Sequence, residues 1–292
     1  MNECTILNKE YIKPFLPPRK RDCNKGDFGK LLLITSCKAM SGASVIASRA
    51  ALRSGAGLVY VASAESAVLP VQLSVPEAIT LPLFETSEGK ISSQNADFLI
   101  EKANCCSAVV IGCGLSVCKD TKQLVRKLLR KVNVPIVLDA DGINIAAQDI
   151  NILKNTSAPV ILTPHLKEMS RLCGREICDI KENKEEIASE FSREYGVTVV
   201  LKDFQTVISV PNGAIYKNLG GHPCMAKGGS GDMLAAMIGA FLAQGLSYES
   251  AACSAVFLHA RAGELCGEAM GDYSVLASDL IERLPQVFKE LK

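Results

Sequence analysis

The chain has 292 residues, of which 48% are hydrophobic and 22% are charged, and its net charge is +1. This length and apolar content are enough for a large buried core in one domain, or at most two. A near-neutral chain without a basic tract does not fit a protein that binds nucleic acid or an anionic membrane. No apolar run approaches the roughly 20 residues of a membrane span, and residues 1–4 do not begin a signal peptide. We therefore expect a cytoplasmic protein.

Twelve cysteines are scattered along the chain, and only three histidines accompany them. No two cysteines have the Cys-x-x-Cys spacing that is typical of a structural zinc site. We therefore expect reduced thiols, most of them buried as small apolar side chains.

The predicted elements alternate between strands and helices. Residues 1–28 are polar and proline-rich, and we interpret them as a lead-in segment to a single domain of residues 29–292. A buried strand over 30–35, a small-residue helix over 41–53 and a strand over 58–62 form a unit typical of a parallel sheet. Further strands are predicted at 108–111, 135–138, 159–162 and 197–201, with a hairpin over 206–216. Further helices are predicted at 120–131, 182–195, 232–244, 248–266 and 277–290.

Glycines and polar residues follow the ends of successive predicted strands. They are Gly112, Gly114, Asp139, Asp141, His165, Glu168, Lys202 and the loop 228–232. Turns collect glycine and aspartate in any protein, so no single member is decisive. In an open parallel sheet, however, ligands bind outside the carboxyl ends of the strands. The sequence therefore predicts a ligand site along this edge.

The loop Gly228-Gly229-Ser230-Gly231-Asp232 runs directly into a strongly apolar helix. Glycines let backbone N–H groups approach an anion closely, and a helix start adds unsatisfied donors and partial positive charge. A phosphate group is the natural guest of such a loop. Asp232 is then either a helix N-cap or a general base aimed at a hydroxyl beside the phosphate.

Four stretches together resemble a known family, the ADP/ATP-dependent NAD(P)H-hydrate dehydratases of the ribokinase-like superfamily. They are residues 41–43 with 54–59, 111–115, 162–168 and 221–232. The position of His165 separates close relatives, because superfamily kinases for vitamin precursors typically have asparagine there. The resemblance implies an α/β fold with a central, mostly parallel sheet and helices on both faces.

The resemblance also implies an activity. An ADP-dependent (S)-NAD(P)H-hydrate dehydratase, a lyase, would repair hydrated NADH or NADPH with ADP or ATP as phosphoryl donor and with Mg²⁺. The nucleotide phosphorylates the 6-hydroxyl of the damaged ring, and phosphate then leaves because it is a far better leaving group than hydroxide. Relatives form oligomers, often tetramers, and NAD(P)H-hydrate epimerase is the implied functional partner.

Site residues carry over from the family position by position. Asp232 is implied as the catalytic base. The positions implied to contact the hydrated dinucleotide are Ala43, Gly114, His165 and Asp232. Those implied to hold the adenine nucleotide are Lys202, Asp203, Phe204, Gln205, Thr206 and Gly231. The implied anion hole comprises Gly229, Ser230 and Gly231.

Several implied roles have open alternatives. His165 could instead be a helix-capping or core histidine, and Lys202 an ordinary exposed lysine at a strand end. Glu168 matches the acid that organises Mg²⁺ through water, and the alternative is a solvated helix carboxylate. Asp203 departs from the glycine that the family commonly has, and it places a carboxylate near the expected phosphates. Asp139 and Asp141 could also serve the metal, or cap the following helix.

Two other classes of protein share the glycine loop. One is a true small-molecule kinase for a vitamin precursor or sugar alcohol, and the other is a non-catalytic nucleotide-sensing or scaffold protein. His165 and the Ser41-Gly42-Ala43 stretch favour the dehydratase over the kinase. Asp232 argues against a protein that only binds, because binding alone needs no base.

Overall fold

Ten strands form one sheet in the computed structural model, which describes residues 4–291. Residues 1–3 of the predicted lead-in segment and residue 292 of the predicted domain lie outside this range. The strands are β1 (Cys4–Ile6), β2 (Lys30–Ile34), β3 (Leu58–Ala64), β4 (Ile79–Leu83), β5 (Ala108–Ile111), β6 (Ile136–Leu138), β7 (Val160–Leu162), β8 (Thr198–Leu201), β9 (Val207–Ser209) and β10 (Ile215–Lys217). Their spatial order is β1-β10-β9-β8-β7-β6-β5-β2-β3-β4, and of these ten only β9 runs against the others.

Helices cover both faces of the sheet. They are α1 (Lys9–Ile12), α2 (Ser41–Arg53), α3 (Val68–Ser74), α4 (Ala96–Asn104), α5 (Lys119–Lys131), α6 (Asp141–Ala146), α7 (Leu166–Cys173), α8 (Ile177–Glu182), α9 (Lys184–Tyr195), α10 (Ser230–Ala243), α11 (Tyr248–Ser274, interrupted at Gly271) and α12 (Ala277–Glu290). One core packs under α2, α10, α11 and α12, and the other under α4, α5, α7 and α9. None of the helices described here is both long and apolar enough to cross a bilayer.

Strand β2 shows why the sheet needs helices on both sides. Leu31 and Leu33 belong to one core, whereas Leu32 and Ile34 belong to the other, and all four side chains are fully buried. Successive side chains of a strand point to opposite faces, so a continuous apolar run has to be covered twice. The predicted α/β fold with a mostly parallel sheet is thus confirmed.

Two parts of the chain differ from the predicted elements. The helix predicted over 182–195 is interrupted, because Asn183 has a non-helical ψ of 39° between α8 and α9. The lead-in segment contributes β1, which pairs with β10, and its Ile12 is fully buried. Its apolar stretches are too short for a sequence pattern to reveal them. The division of the chain at residue 28 stays a prediction.

Helix α10 lies very close to the centre of the sheet. A Cβ atom built on Gly239 would lie 2.4 Å from Val110 Cγ2, so any side chain there would push the helix away. From Met233 to Ala243 the helix is buried, and so is most of α11 up to Gly267. The apolar segment after the glycine loop is therefore core. Its first turn lies over the carboxyl ends of the central strands.

Candidate active site

An ion pair between the buried Asp139 and the partly exposed Lys202 lies at the carboxyl ends of β6, β7 and β8. Asp139 Oδ1 accepts hydrogen bonds from Thr163 Oγ1 at 2.5 Å and from Lys202 Nζ at 2.8 Å. Burial opposes the charge of Lys202, but the carboxylates of Asp139 and Glu168 outweigh burial and raise the pKa of this lysine. Lys202 is therefore a fixed positive charge at the strand ends.

The two aspartates after β6 do not cap the following helix. The N-cap of α6 is Ala140, which makes no side-chain capping bond. Asp139 instead pairs with Lys202, and Asp141 Oδ2 accepts from the Ser116 backbone N–H at 2.7 Å. The capping alternative is thus wrong for both, and Asp141 ties down the loop after β5.

The start of α10 presents free backbone donors. Its N-cap is Gly229, which has the left-handed φ of 93°, and the first helical residue is Ser230. Within residues 4–291, the backbone N–H groups of Gly229, Gly231 and Asp232 donate no hydrogen bond. Free amides at the positive end of a helix form a site for a phosphate group. The three predicted anion-hole residues therefore lie together at this helix start.

Asp232 is the third residue of α10, so it is not the N-cap. Burial and the nearby carboxylate of Asp139 raise its pKa to about 6. The preceding residue, Gly231, has no side chain, so Lys202 and Asp139 can lie close to the start of α10. A Cβ atom on Gly231 would lie 3.3 Å from Lys202 Nζ and 3.9 Å from Asp139 Oδ2. A carboxylate with a pKa near neutrality, beside an anion site, is suited to general-base catalysis.

His165 and Glu168 form a capping box at the start of α7. His165 Nδ1 accepts from the backbone N–H groups of Lys167 and Glu168, and the His165 N–H donates to Glu168 Oε2 at 2.9 Å. The imidazole is half exposed, whereas Glu168 is buried. Burial and the charge of Lys202 lower the pKa of His165, and burial raises the pKa of Glu168 to about 7. Glu168 is therefore not a solvated carboxylate, and the capping histidine keeps an exposed ring edge.

The predicted nucleotide segment begins at Lys202 and then bends away. The carboxylate of Asp203 lies 2.9 Å from Lys184 Nζ, which also donates to the Gln205 carbonyl at 3.3 Å. Thr206 Oγ1 donates to the Asp203 carbonyl. The bond from Lys184 outweighs partial burial and lowers the pKa of Asp203. The unexpected carboxylate is therefore neutralised inside the protein. Next to it, Phe204 is 72% exposed, and its ring offers a flat apolar surface.

On the other side of the site, small residues line the ends of β2 and β5. A Cβ atom on Gly114 would lie 2.8 Å from Ala43 Cβ, so these two predicted substrate positions are in contact. Gly114 has a φ of 63°, and Ser36 after β2 has the similar value of 62°. Ser36 Oγ accepts from the Ser44 N–H at 2.9 Å and donates to the Met40 carbonyl at 2.8 Å. These bonds connect the end of β2 to the start of α2.

Two site residues were not anticipated from the sequence. His259 of α11 is buried, and its Nε2 lies 3.1 Å from Ser230 Oγ in the anion loop. Burial and the charge of Lys202 lower the pKa of His259 to about 4, so the ring is neutral. The sequence feature that could have indicated His259 is a single histidine within an apolar predicted helix. The second residue is Cys113, whose Sγ lies 3.6 Å from Asp139 Oδ2.

The predicted site residues thus fall into adjoining groups. Gly231, Lys202 and Asp232 surround Asp139, and an isolated parallel bridge joins His165 to Lys202. Gly114, which contacts Ala43, directly follows Cys113, whose thiol reaches Asp139. The segment after Lys202 leaves this group, and the side chain of Asp203 turns toward Lys184.

The oxygen donors at the strand ends fit Mg²⁺. Glu168 and Asp139 offer carboxylate oxygens, which this ion prefers. Both carboxylates already accept hydrogen bonds from the protein. They would therefore hold a hydrated ion through its water molecules.

Known proteins resemble this chain over almost its whole length. The family model for NAD(P)H-hydrate dehydratase matches residues 31–286. The bifunctional NAD(P)H-hydrate repair enzyme Nnr of Moorella thermoacetica is 36% identical over 98% of this chain and 54% of its own length. The ADP-dependent (S)-NAD(P)H-hydrate dehydratase of Bacillus subtilis is 31% identical over 97% of this chain and 98% of its own. The chain spans about half the length of the bifunctional relatives.

Solved structures agree with these relatives. The crystal structure of ADP/ATP-dependent NAD(P)H-hydrate dehydratase from Bacillus subtilis, co-crystallised with ATP/Mg²⁺, has a TM-score of 0.85 at 28% identity and covers both chains fully. A ribokinase-like superfamily protein of Enterococcus faecalis also has a TM-score of 0.85, at 26% identity over 100% of this chain and 97% of its own. The fold is therefore that of the ribokinase-like class. Within that class, the chain belongs to the NAD(P)H-hydrate dehydratase family.

Proposed function

We propose that this chain is an ADP-dependent (S)-NAD(P)H-hydrate dehydratase that phosphorylates hydrated NADH or NADPH and eliminates phosphate. The observation that carries this proposal is the pairing of Asp232 with the free amides at the start of α10. The carboxylate has a pKa raised to about 6, and it follows directly after the amides of Gly229 and Gly231. A base and an anion site at one point are what phosphoryl transfer to a hydroxyl needs.

In the first step, Asp232 takes the proton from the 6-hydroxyl of the hydrated ring. The hydroxyl oxygen bonds to the terminal phosphorus of the nucleotide, and the bond to the bridging oxygen breaks, so that ADP leaves as AMP. The free amides of Gly229 and Gly231 are proposed to stabilise the charge on the transferred group, whereas the Ser230 N–H already donates to the Lys227 carbonyl at 3.4 Å. Lys202, held by Asp139 at 2.8 Å, supplies a positive charge beside them.

In the second step, the ring nitrogen expels phosphate, and loss of a ring proton restores the double bond. Ala43 and Gly114 form the narrow wall against which we place the dinucleotide. The exposed edge of His165 lies beside Lys202 and is proposed to contact the substrate as well.

The nucleotide is proposed to lie along residues 202–206. The exposed ring of Phe204 can stack on adenine, while Lys184 neutralises Asp203 and so removes its repulsion of phosphates. Glu168 and Asp139 are the residues that would hold Mg²⁺ through water. The ion, when bound, would neutralise phosphate charge.

A single assay tests the proposal. The protein is incubated with hydrated NADH, Mg²⁺ and either ADP or ATP, and the absorbance of reduced nicotinamide is followed. Recovery that depends on ADP supports the dehydratase, and recovery that depends on ATP alone would correct the donor. No recovery with either nucleotide, together with phosphorylation of a vitamin alcohol, would replace the proposal by the kinase alternative.

We also propose that the chain forms a homo-oligomer, with the tetramer as the expected state. Apolar side chains of α3 and β4 support this, because Leu69, Leu73 and Ile79 are exposed beside an edge strand, and Phe84 follows it. A cytoplasmic location stays a prediction. NAD(P)H-hydrate epimerase is the proposed functional partner, in keeping with the relatives named bifunctional.

A further inference from the structure

A thiol lies against two carboxylates at the base of the site. The Sγ atom of Cys113 and one carboxylate oxygen each of Asp139 and Asp232 all lie within 4.8 Å of one another. Cys113 and Asp139 are buried, and Asp232 is partly exposed. Access from solvent is therefore through Asp232 and the partly exposed Lys202.

The hydrogen bonds leave one side of Asp139 available to the thiol. Thr163 and Lys202 both donate to Oδ1, whereas Oδ2 has the Cys113 thiol as its neighbour at 3.6 Å. Oδ2 of Asp139 therefore accepts the weak hydrogen bond of the Cys113 thiol, and Asp232 lies nearby. A single ammonium group, that of Lys202, lies against these two carboxylates. The cluster thus combines uncompensated negative charge with one soft ligand atom.

We propose that Cys113, Asp139 and Asp232 bind a thiophilic divalent cation of the Zn²⁺ or Cd²⁺ type. One thiolate sulfur with two carboxylate oxygens is a donor set that such ions accept, with a water molecule as fourth ligand. Binding forms a metal–sulfur bond, and the thiol proton goes to solvent. Mg²⁺ prefers oxygen ligands alone, so the hydrated ion proposed at Glu168 and Asp139 would not use the thiol.

The consequence for turnover rests on the proposed function. A cation bound at this point occupies the carboxylate of Asp232, which could then no longer accept a proton from the substrate. Micromolar Zn²⁺ or Cd²⁺ is therefore expected to inhibit the reaction even in an excess of Mg²⁺.

The test is a Cd²⁺ titration of the whole chain, followed by the ultraviolet absorbance of cadmium–thiolate bonds. Other thiols contribute to the signal, so the comparison is between wild type, C113S and C253S. Cys253 is equally buried, but it lies in the hydrophobic core on α11, away from the carboxylates, and it is therefore the matched control. Wild type and C253S should bind one tight equivalent that C113S lacks. In D232N, which keeps the thiol, the affinity of this equivalent should fall at least about tenfold.

Two results would overturn the site. One is a Cd²⁺ titration of folded C113S that does not differ from that of wild type. The other is an unchanged Cd²⁺ affinity in D232N, and this measurement keeps the proposal testable if C113S does not fold. Repair activity measured with Mg²⁺ alone tests the proposed function separately. Metal binding without repair activity would keep the cation site and remove only its link to catalysis.

Discussion

The carboxyl ends of β6, β7 and β8 carry connected charges, whereas the ends of β2 and β5 carry small residues in left-handed backbone conformations. On the charged side, Asp139, Lys202 and Asp232 influence one another through short distances and partial burial. On the small-residue side, Gly114 touches Ala43, and neither of these two residues carries a charge. The two sides meet at Cys113.

This difference indicates what each side contributes. The charged side is proposed to move a proton and a phosphoryl group, so it should be sensitive to changes of charge that preserve size. The other side is proposed to shape the space for the dinucleotide, so it should be sensitive to changes of size that preserve charge.

The largest effect is expected from D232N, which removes the base and preserves size. Turnover should fall by about 10²–10⁴-fold, with nucleotide binding retained. The pKa of Asp232 is about 6 in the folded state and lower in the unfolded state, so the folded state loses stability as the pH rises between these two pKa values. At pH 8, the free energy of unfolding of D232N should therefore exceed that of wild type by on the order of 1–3 kcal/mol, and its melting temperature should be higher. At pH 3 the two proteins should melt at the same temperature. Retained turnover would refute the assignment of the base.

The pH dependence should follow the same carboxylate. The base acts only when ionised, so kcat/KM should fall about tenfold per pH unit below about 6 and level off above it. Glu168, with a pKa of about 7, is the competing explanation. E168Q should keep the inflection near 6. An inflection that disappears in E168Q would assign it to Glu168.

His259 should matter through Ser230. H259L removes the only side-chain partner of the Ser230 hydroxyl found in residues 4–291, and we expect kcat to fall about tenfold. The loss should be equal at pH 6 and pH 8, because the imidazole is already neutral. H259Q, which can still hydrogen-bond, should recover most of the rate. A uniform loss in both variants, with a lower melting temperature, would indicate a packing role only.

The small-residue side is tested by G114A. The added methyl group would meet Ala43 at 2.8 Å, so KM for the hydrated dinucleotide should rise several-fold with little change in kcat. Gly174 is a matched control, because its φ of 71° carries the same conformational cost and nothing lies within 4 Å of a Cβ there. G174A should lose only the stability that the left-handed conformation costs, and it should keep KM. Equal KM values for the two variants would contradict contact with the substrate.

The sequence was informative where a local pattern has one structural solution. The apolar run at residues 31–34 predicted a strand that is covered on both faces. The glycine loop before an apolar helix predicted an exposed helix start. The contacts that tune the site were not predictable in this way. His259 meets Ser230 from 29 positions away, and Cys113 meets Asp139 from 26. Such contacts depend on how helices and strands stack, which residue spacing alone does not encode.

Asp203 provides the last and smallest test, because it is a charged residue that lies apart from the charged network of Asp139. K184M would leave its carboxylate unpaired near the proposed phosphates, so KM for ADP should rise a few-fold and stability should fall. In the double variant K184M/D203G, the repelling charge is gone and KM should return close to the wild-type value. A double-mutant cycle on nucleotide binding measures the coupling energy between Lys184 and Asp203, which should be about 0.5–3 kcal/mol. If K184M raised KM equally with and without Asp203, Lys184 itself would contact the nucleotide, and phosphate would be bound by Lys184 of α9 together with Lys202 at the end of β8.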